Sequence, residues 1–223
     1  ISKESDYLKL NMVIYYNPLL INSNGESKAD GTKVVEVAIK NYIEENAPTA
    51  KRVMHMTWVP CPEEAVKMYG GMFEDAGTPD AAREAALETV KAGYEYASSI
   101  IASEDNMMIP TYYAIEIAHN KYGYEFHSGD PTEKDGVPTY MNPEVKSLFR
   151  DETCHLTYES FGKPYGRVLA ALTWFEYLTG INAEESKYTN DAFTDEEMKE
   201  LKKIAHEANQ TAGITPLKLW GQN

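Results

Sequence analysis

The residues best suited to do chemistry are an acid and a histidine, Asp151 and His155, on one short polar stretch. A carboxylate this near in the chain can reach the imidazole, fix its tautomer and stabilise the imidazolium that forms when the ring takes a proton. The pair predicts a general base that acts on a nucleophile held beside it. The alternative interpretation is an ion pair on a surface loop, which contributes little to stability.

A long helix is predicted directly after this stretch and would hold it in place. From Phe161 onward, apolar residues recur at helical spacing, and Gly180 stands where a C-terminal cap belongs. Earlier in the chain, segments of strand and helix character alternate. The predicted strands are 6–16, 51–59 and 106–113, the other predicted helices are 31–45, 78–103, 114–121 and 194–208, and the segment 122–140 is predicted as a loop.

This alternation is typical of an α/β fold, in which helices cover both faces of a parallel sheet. Such sheets bind ligands at the carboxyl ends of their strands. Asn11, Trp58 and the segment 111–113 lie at or after predicted strand ends. We therefore expect them to meet the loop of residues 151–155 at one edge of the sheet.

Aromatic and hydroxyl side chains at this edge predict a binding surface. We expect Trp58, Thr111 and Tyr112 to contact substrate, because flat aromatic faces suit carbohydrate rings. The alternative is that these rings belong to the core, as aromatic residues at strand ends often do. His55, within a predicted strand, is interpreted as a hydrogen-bonded core residue.

Composition narrows the class of protein. The chain has 223 residues, 43% of them hydrophobic, which suffices for a single domain, 1–223, ending in a helical segment, 194–223. A formal net charge of −14 without any basic run argues against a nucleic-acid partner. No apolar run approaches the roughly 18 residues that a membrane-spanning helix needs. We therefore expect no membrane span.

Two cysteines, Cys61 and Cys154, are too few for a disulfide scaffold and lack the spacing of a metal site. Both fall at the edge of the predicted site. They could form a disulfide there or remain two buried thiols. No metal and no cofactor is expected.

The late part of the chain resembles the last block of the SGNH/GDSL hydrolases. The likeness is to a bacterial branch with an Arg-Asp, then a His-Leu, then a helix ending in Leu-Thr-Gly, here Arg150-Asp151, His155-Leu156 and 178–180. The segment 55–58 is similar to the His-x-Thr-Trp strand of that branch, and Ile109-Pro110 to its Ile-Pro strand. The resemblance runs in the right order from residue 6 to residue 182.

This resemblance implies a three-layer, flavodoxin-like parallel sheet flanked by helices, and ester hydrolysis by a serine nucleophile. His155 would be the base and Asp151 the acid that orients it, although the two-residue spacing of the family pattern is met only by Glu152. Asn11 would help to stabilise the oxyanion. The resemblance also implies small acyl groups on carbohydrate as substrates, no cofactor, and a secreted or periplasmic location.

The family's Gly-Asp-Ser nucleophile block and its oxyanion glycine are not matched, and the likeness begins at the family's third strand. In the sheet order 2-1-3-4-5, the strand 6–16 would then present an open edge, which seeks a partner. We expect a preceding segment or another chain to pair with that strand, and residues 1–223 to be inactive alone. The competing hypothesis is a non-catalytic binding or assembly module derived from this fold.

Overall fold

The computed structural model describes residues 12–15, 29–59, 78–127, 132–134, 137–139, 142, 145–151, 154–159, 162–211, 213–215 and 217. The strands are β1 (Met12–Tyr15), β2 (Lys51–His55), β3 (Met108–Ile109), β4 (Thr132–Lys134) and β5 (Val137–Thr139). The helices are α1 (Ala29–Asn46), α2 (Pro79–Ile101), α3 (Thr111–Tyr122), α4 (Tyr165–Thr179) and α5 (Asp195–Asn209), with a 3-10 turn at Ala183–Glu185.

The described strands β1, β2 and β3 form one sheet in that order, and both pairings are parallel. In register, Met12 lies opposite Lys51 and Met54 lies opposite Met108. A mixed α/β fold with a parallel sheet is therefore confirmed. Most of the predicted strand 6–16, including Asn11, lies outside the described residues.

The two sides of β2 pack against different helices. Val53 is buried with Tyr177 of α4, whereas the next residue, Met54, is buried with Val90 and Tyr94 of α2. Successive side chains of a strand point to opposite faces. The two adjacent apolar residues of β2, Val53 and Met54, are therefore explained by burial on both faces of the sheet.

The predicted third strand, 106–113, is wrong beyond Ile109, and α3 begins at Thr111 rather than at residue 114. Pro110 lies between the two elements. Because proline has no backbone N–H, it cannot continue the hydrogen-bond ladder of a strand, but it is compatible with the start of a helix. The predicted loop 122–140 also contains the antiparallel pair of β4 and β5.

The predicted helix ends are confirmed where the capping residues signalled them. Thr78 accepts a hydrogen bond from the Ala81 amide at the start of α2, and Thr194 and Glu197 form a complete capping box at the start of α5. Gly180 ends α4 with a left-handed φ of 71°. These helices belong to the part of the fold that supports the loop of residues 151–155.

The largest apolar core lies between α3, α4 and α5. It includes Leu148, Phe149 and Cys154, which flank or belong to the loop predicted to be catalytic. The loop is therefore built directly on the core and not on a peripheral extension.

Candidate active site

Asp151 and His155 lie on a tight hairpin. The Arg150 amide donates to the His155 carbonyl (2.8 Å), and the Cys154 amide donates to the Asp151 carbonyl (3.1 Å), which closes a turn. A bridge between Phe149 and Leu156 pairs the two arms in antiparallel fashion. Both ends of the hairpin are therefore fixed by backbone hydrogen bonds.

The acid and the imidazole are in direct contact. His155 Nδ1 lies 3.0 Å from Asp151 Oδ1 and 2.9 Å from Oδ2, and the His155 amide also donates to Oδ1 (3.2 Å). An ionised carboxylate only accepts hydrogen bonds, so this contact favours a proton on Nδ1, and in the neutral ring Nε2 is then the nitrogen that can accept a proton. The His155 side chain is 61% exposed. The arrangement suits an accessible general base whose acid partner sets the tautomer.

Arg150 forms an ion pair with the same carboxylate. Its Nε lies 3.2 Å from Asp151 Oδ2, and its Nη1 donates to the Tyr158 hydroxyl (3.2 Å). The guanidinium of Arg167 also lies over the Tyr158 ring, 4.8 Å from the centroid. Sequence reasoning did not assign Arg150 a role, although its place directly before Asp151 was a signal that could have suggested one.

Trp58 reaches this hairpin from the end of β2. Its indole N–H donates to the Cys154 carbonyl (3.0 Å), and its ring packs beside Phe149. The structure therefore brings Trp58 to the loop of Asp151 and His155. The indole is partly buried against the core, which was one of the two interpretations left open, and its bond to the backbone carries no signal in the sequence.

Thr111 and Tyr112 are both buried at the start of α3. The Tyr112 hydroxyl donates to the Leu87 carbonyl (3.3 Å), and burial together with Glu116 raises the pKa of its phenol. Thr111 contacts His55 through its hydroxyl (3.0 Å). These contacts tie both side chains to neighbouring elements of the protein.

His55 is partly buried between Thr111 and Trp174. The Trp174 indole N–H donates to His55 Nε2 (3.2 Å), so this nitrogen must be unprotonated. Burial lowers the pKa of His55 from 6.5 to about 4. The ring stays neutral in the folded protein at physiological pH, in agreement with its interpretation as a hydrogen-bonded core residue.

This burial predicts a loss of stability in mild acid. Because the unfolded chain binds the proton at about pH 6.5 and the folded chain only at about pH 4, stability is complete above pH 6.5 and is lost as the pH falls through that window. At roughly 1.4 kcal/mol per pKa unit, the loss is about 3 kcal/mol. Urea unfolding between pH 7 and pH 4 measures it. His55→Gln, which keeps an acceptor for Trp174, should flatten the curve.

Glu197 provides a control, because its ionisation changes the stability in a lower pH window. Burial opposes ionisation of Glu197, but hydrogen bonds from Lys163 and Tyr165 outweigh it and lower the pKa of Glu197 to about 2. Its contribution is therefore present above about pH 4.5 and is lost towards pH 2. Glu197→Gln should leave the slope between pH 6.5 and pH 4.5 unchanged. A flat wild-type curve in that interval would contradict the assignment to His55.

A second acid–histidine pair lies elsewhere in the fold. His206 Nδ1 contacts Glu176 Oε1 (2.8 Å), while Glu176 Oε2 accepts from the Ala183 amide (2.8 Å). Glu176 is buried, and its contacts join α4 to α5 and to the 3-10 turn. This pair stabilises the packing of α4 against α5, whereas the His155 ring projects from a hairpin towards solvent.

Other predicted residues lie outside the part of the chain that the structure describes. These are Asn11, Glu152 and Cys61, so neither the oxyanion donor, the alternative acid nor a Cys61–Cys154 disulfide is tested. Within the described ranges, no group of three His, Cys, Asp or Glu side chains could hold a metal ion. Within the same ranges, every helix is too short or too polar to cross a membrane.

The fold and the hairpin define a mixed α/β protein with a parallel sheet and an exposed acid–histidine pair near one edge. No family model and no curated protein matches the chain. In fold it is similar to the crystal structure of a DUF4886 family protein from Bacteroides uniformis, with a TM-score of 0.58 and 18% sequence identity. The match covers 97% of this chain and 70% of that chain. At this identity the likeness shows the fold alone.

Proposed function

We propose that Asp151 and His155 are the acid and base of an SGNH-type serine ester hydrolase with a three-layer, flavodoxin-like sheet. The observation that carries the proposal is the 2.9 Å contact between Asp151 Oδ2 and Nδ1 of the exposed His155 ring. Asp151 is preferred to Glu152 as the acid because this contact already orients the ring. Sequence resemblance supports the hydrolase class.

The chemistry of the proposal is acyl transfer. A serine hydroxyl within hydrogen-bond reach of His155 Nε2 attacks the ester carbonyl and gives its proton to that nitrogen. Asp151 stabilises the imidazolium, which then protonates the departing alcohol. Water repeats the sequence and releases the acid. Asn11 would donate to the oxyanion.

The substrate class rests on the resemblance, which implies small acyl esters of carbohydrate. Trp58 is partly exposed and bonds to the residue before the proposed base, which supports a contact between its ring and a sugar. Thr111 and Tyr112 are buried, so a role in binding would require them to act through neighbouring groups. The proposal includes a secreted or periplasmic location. It also includes a further strand that pairs with the segment 6–16.

Labelling with a fluorophosphonate probe tests the proposal, because the probe reacts preferentially with the activated serine of a serine hydrolase. The natural protein should be used with all the sequence it has on either side of residues 1–223. We expect labelling to depend on native structure and to fall roughly 10⁴-fold or more in His155→Ala. Mass spectrometry of the labelled peptide then identifies the serine.

A matched control uses the second acid–histidine pair. His206→Ala removes a histidine whose Nδ1 also contacts a carboxylate, but that carboxylate is Glu176 in the helical core. The variant should keep its labelling. A natural full-length protein that neither labels nor hydrolyses acetyl esters would contradict the hydrolase and favour the binding or assembly module.

A further inference from the structure

Trp58 connects the edge of the sheet to the residue directly before the proposed base. It follows β2 by three positions, and its indole N–H donates to the carbonyl of Cys154, 96 residues later in the chain. The peptide group that receives this bond is the one that joins Cys154 to His155. The indole therefore acts on the backbone from which the imidazole projects.

That backbone has an unusual conformation. Cys154 has a φ of 63°, in the left-handed region that few residues other than glycine adopt. Such a conformation persists only where surrounding contacts hold it. Here the Cys154 side chain is buried in the core, its amide donates to Asp151 and its carbonyl accepts from Trp58.

The Trp58 ring packs against a row of aromatic side chains. Its ring lies 6.0 Å from that of Phe149, which in turn stacks on Phe126 at 6.0 Å. The Arg83 guanidinium lies 4.0 Å from the Phe126 centroid and forms two hydrogen bonds with Glu116 (3.2 and 2.5 Å). The indole is therefore packed in place where it donates to the hairpin.

We propose that Trp58 is a positioning residue for His155. By holding the Cys154 carbonyl, it keeps the His155 ring against Asp151 and so maintains the tautomer with the proton on Nδ1. The catalytic consequence rests on the proposed function, whereas the effect on the tautomer does not.

The tautomer can be measured without any substrate. Long-range ¹H–¹⁵N correlation spectra of the chain distinguish a histidine protonated on Nδ1 from one protonated on Nε2. Which nitrogen holds the proton is set by the hydrogen bonds that the ring makes. We expect the Nδ1–H form in the unmodified chain. Trp58→Phe, which keeps a ring against Phe149 but removes the N–H, should move the tautomer ratio roughly fivefold towards Nε2–H.

Trp174→Phe is the matched control. It also removes a partly buried indole N–H donor, but its acceptor is His55 Nε2 and not the hairpin. This variant should keep the Nδ1–H form of His155. If Trp58→Phe does not fold, benzothienylalanine at position 58 keeps the bicyclic shape without the N–H. An unchanged tautomer ratio at position 155, or an equal change in Trp174→Phe, would overturn the proposal.

Kinetics of the natural full-length protein separate the two proposals. If both hold, Trp58→Phe lowers kcat roughly fivefold, and any lost contact between the ring and the sugar adds a separate rise in KM. If the unmodified protein turns over esters and Trp58→Phe keeps both its kcat and its tautomer ratio, the positioning role is wrong and the hydrolase stands. If the tautomer ratio moves but no form of the protein labels or turns over esters, the positioning role stands and the hydrolase is wrong.

Discussion

Asp151→Asn is expected to lower the kcat for ester hydrolysis roughly 10⁴-fold in the natural full-length protein while leaving the fold intact. The carboxylate contacts His155 Nδ1 at 2.9 and 3.0 Å and therefore keeps the proton on that nitrogen. An asparagine amide can donate to Nδ1 instead, which would leave the ring proton on Nε2. Nε2 could then not accept the proton of the nucleophile. Steady-state kinetics, with circular dichroism to check folding, measures the effect.

Two further variants sharpen this test. Asp191→Asn removes the same charge from an exposed turn before α5 and should keep the full rate. Glu152→Gln distinguishes the two acids, because Glu152 has the spacing of the family pattern. A larger loss of kcat in Glu152→Gln than in Asp151→Asn would transfer the role of the acid to Glu152.

Gly166→Ala is expected to destabilise the protein by about 3 kcal/mol or more and to lower its Tm by roughly 6–12 °C. A Cβ at this position would lie 2.0 Å from the Leu148 carbonyl oxygen and 3.0 Å from Leu156 Cδ2. The Leu148 carbonyl cannot turn away easily, since it accepts a hydrogen bond from the Thr157 amide (3.0 Å). The start of α4 would have to move away from the hairpin. Thermal and urea unfolding measure the loss.

Gly123→Ala separates this steric effect from backbone strain. Gly123 has a left-handed φ of 69°, but a Cβ there would meet no atom within 4 Å. Its replacement should cost only about 1 kcal/mol, which is the usual penalty for this conformation. Equal losses of stability in the two variants would show that the close approach of α4 to residue 148 is not the cause.

Gly166 also explains why the helix and the hairpin act as one unit. Its amide donates to Thr157 Oγ1 (2.7 Å), and the Thr157 hydroxyl lies 3.3 Å from the carbonyls of Ser147 and Leu148. The Thr157 hydroxyl therefore links the helix backbone to the hairpin backbone. The sequence indicated that a helix follows the loop, but nothing in the chain order indicated that glycine permits this contact.

Helix caps, the order of strands and helices, and the acid–histidine contact all follow from short stretches of sequence. Thr194 and Glu197 are three residues apart and cap the same helix, and Asp151 and His155 share one hairpin, so each partner lies within reach whatever the rest of the chain does. Propensity, periodicity and chain connectivity act over such distances.

Docking of distant elements is responsible for the remaining contacts. The indole of Trp58 finds Cys154 across 96 residues, and that of Trp174 finds His55 across 119. Such pairs depend on how helices pack against the sheet. Packing determines which residue each side chain contacts, how far the side chain is buried and in which direction it points. This is why the chain order could place Trp58 after β2 but could not show that its N–H would donate to the Cys154 carbonyl.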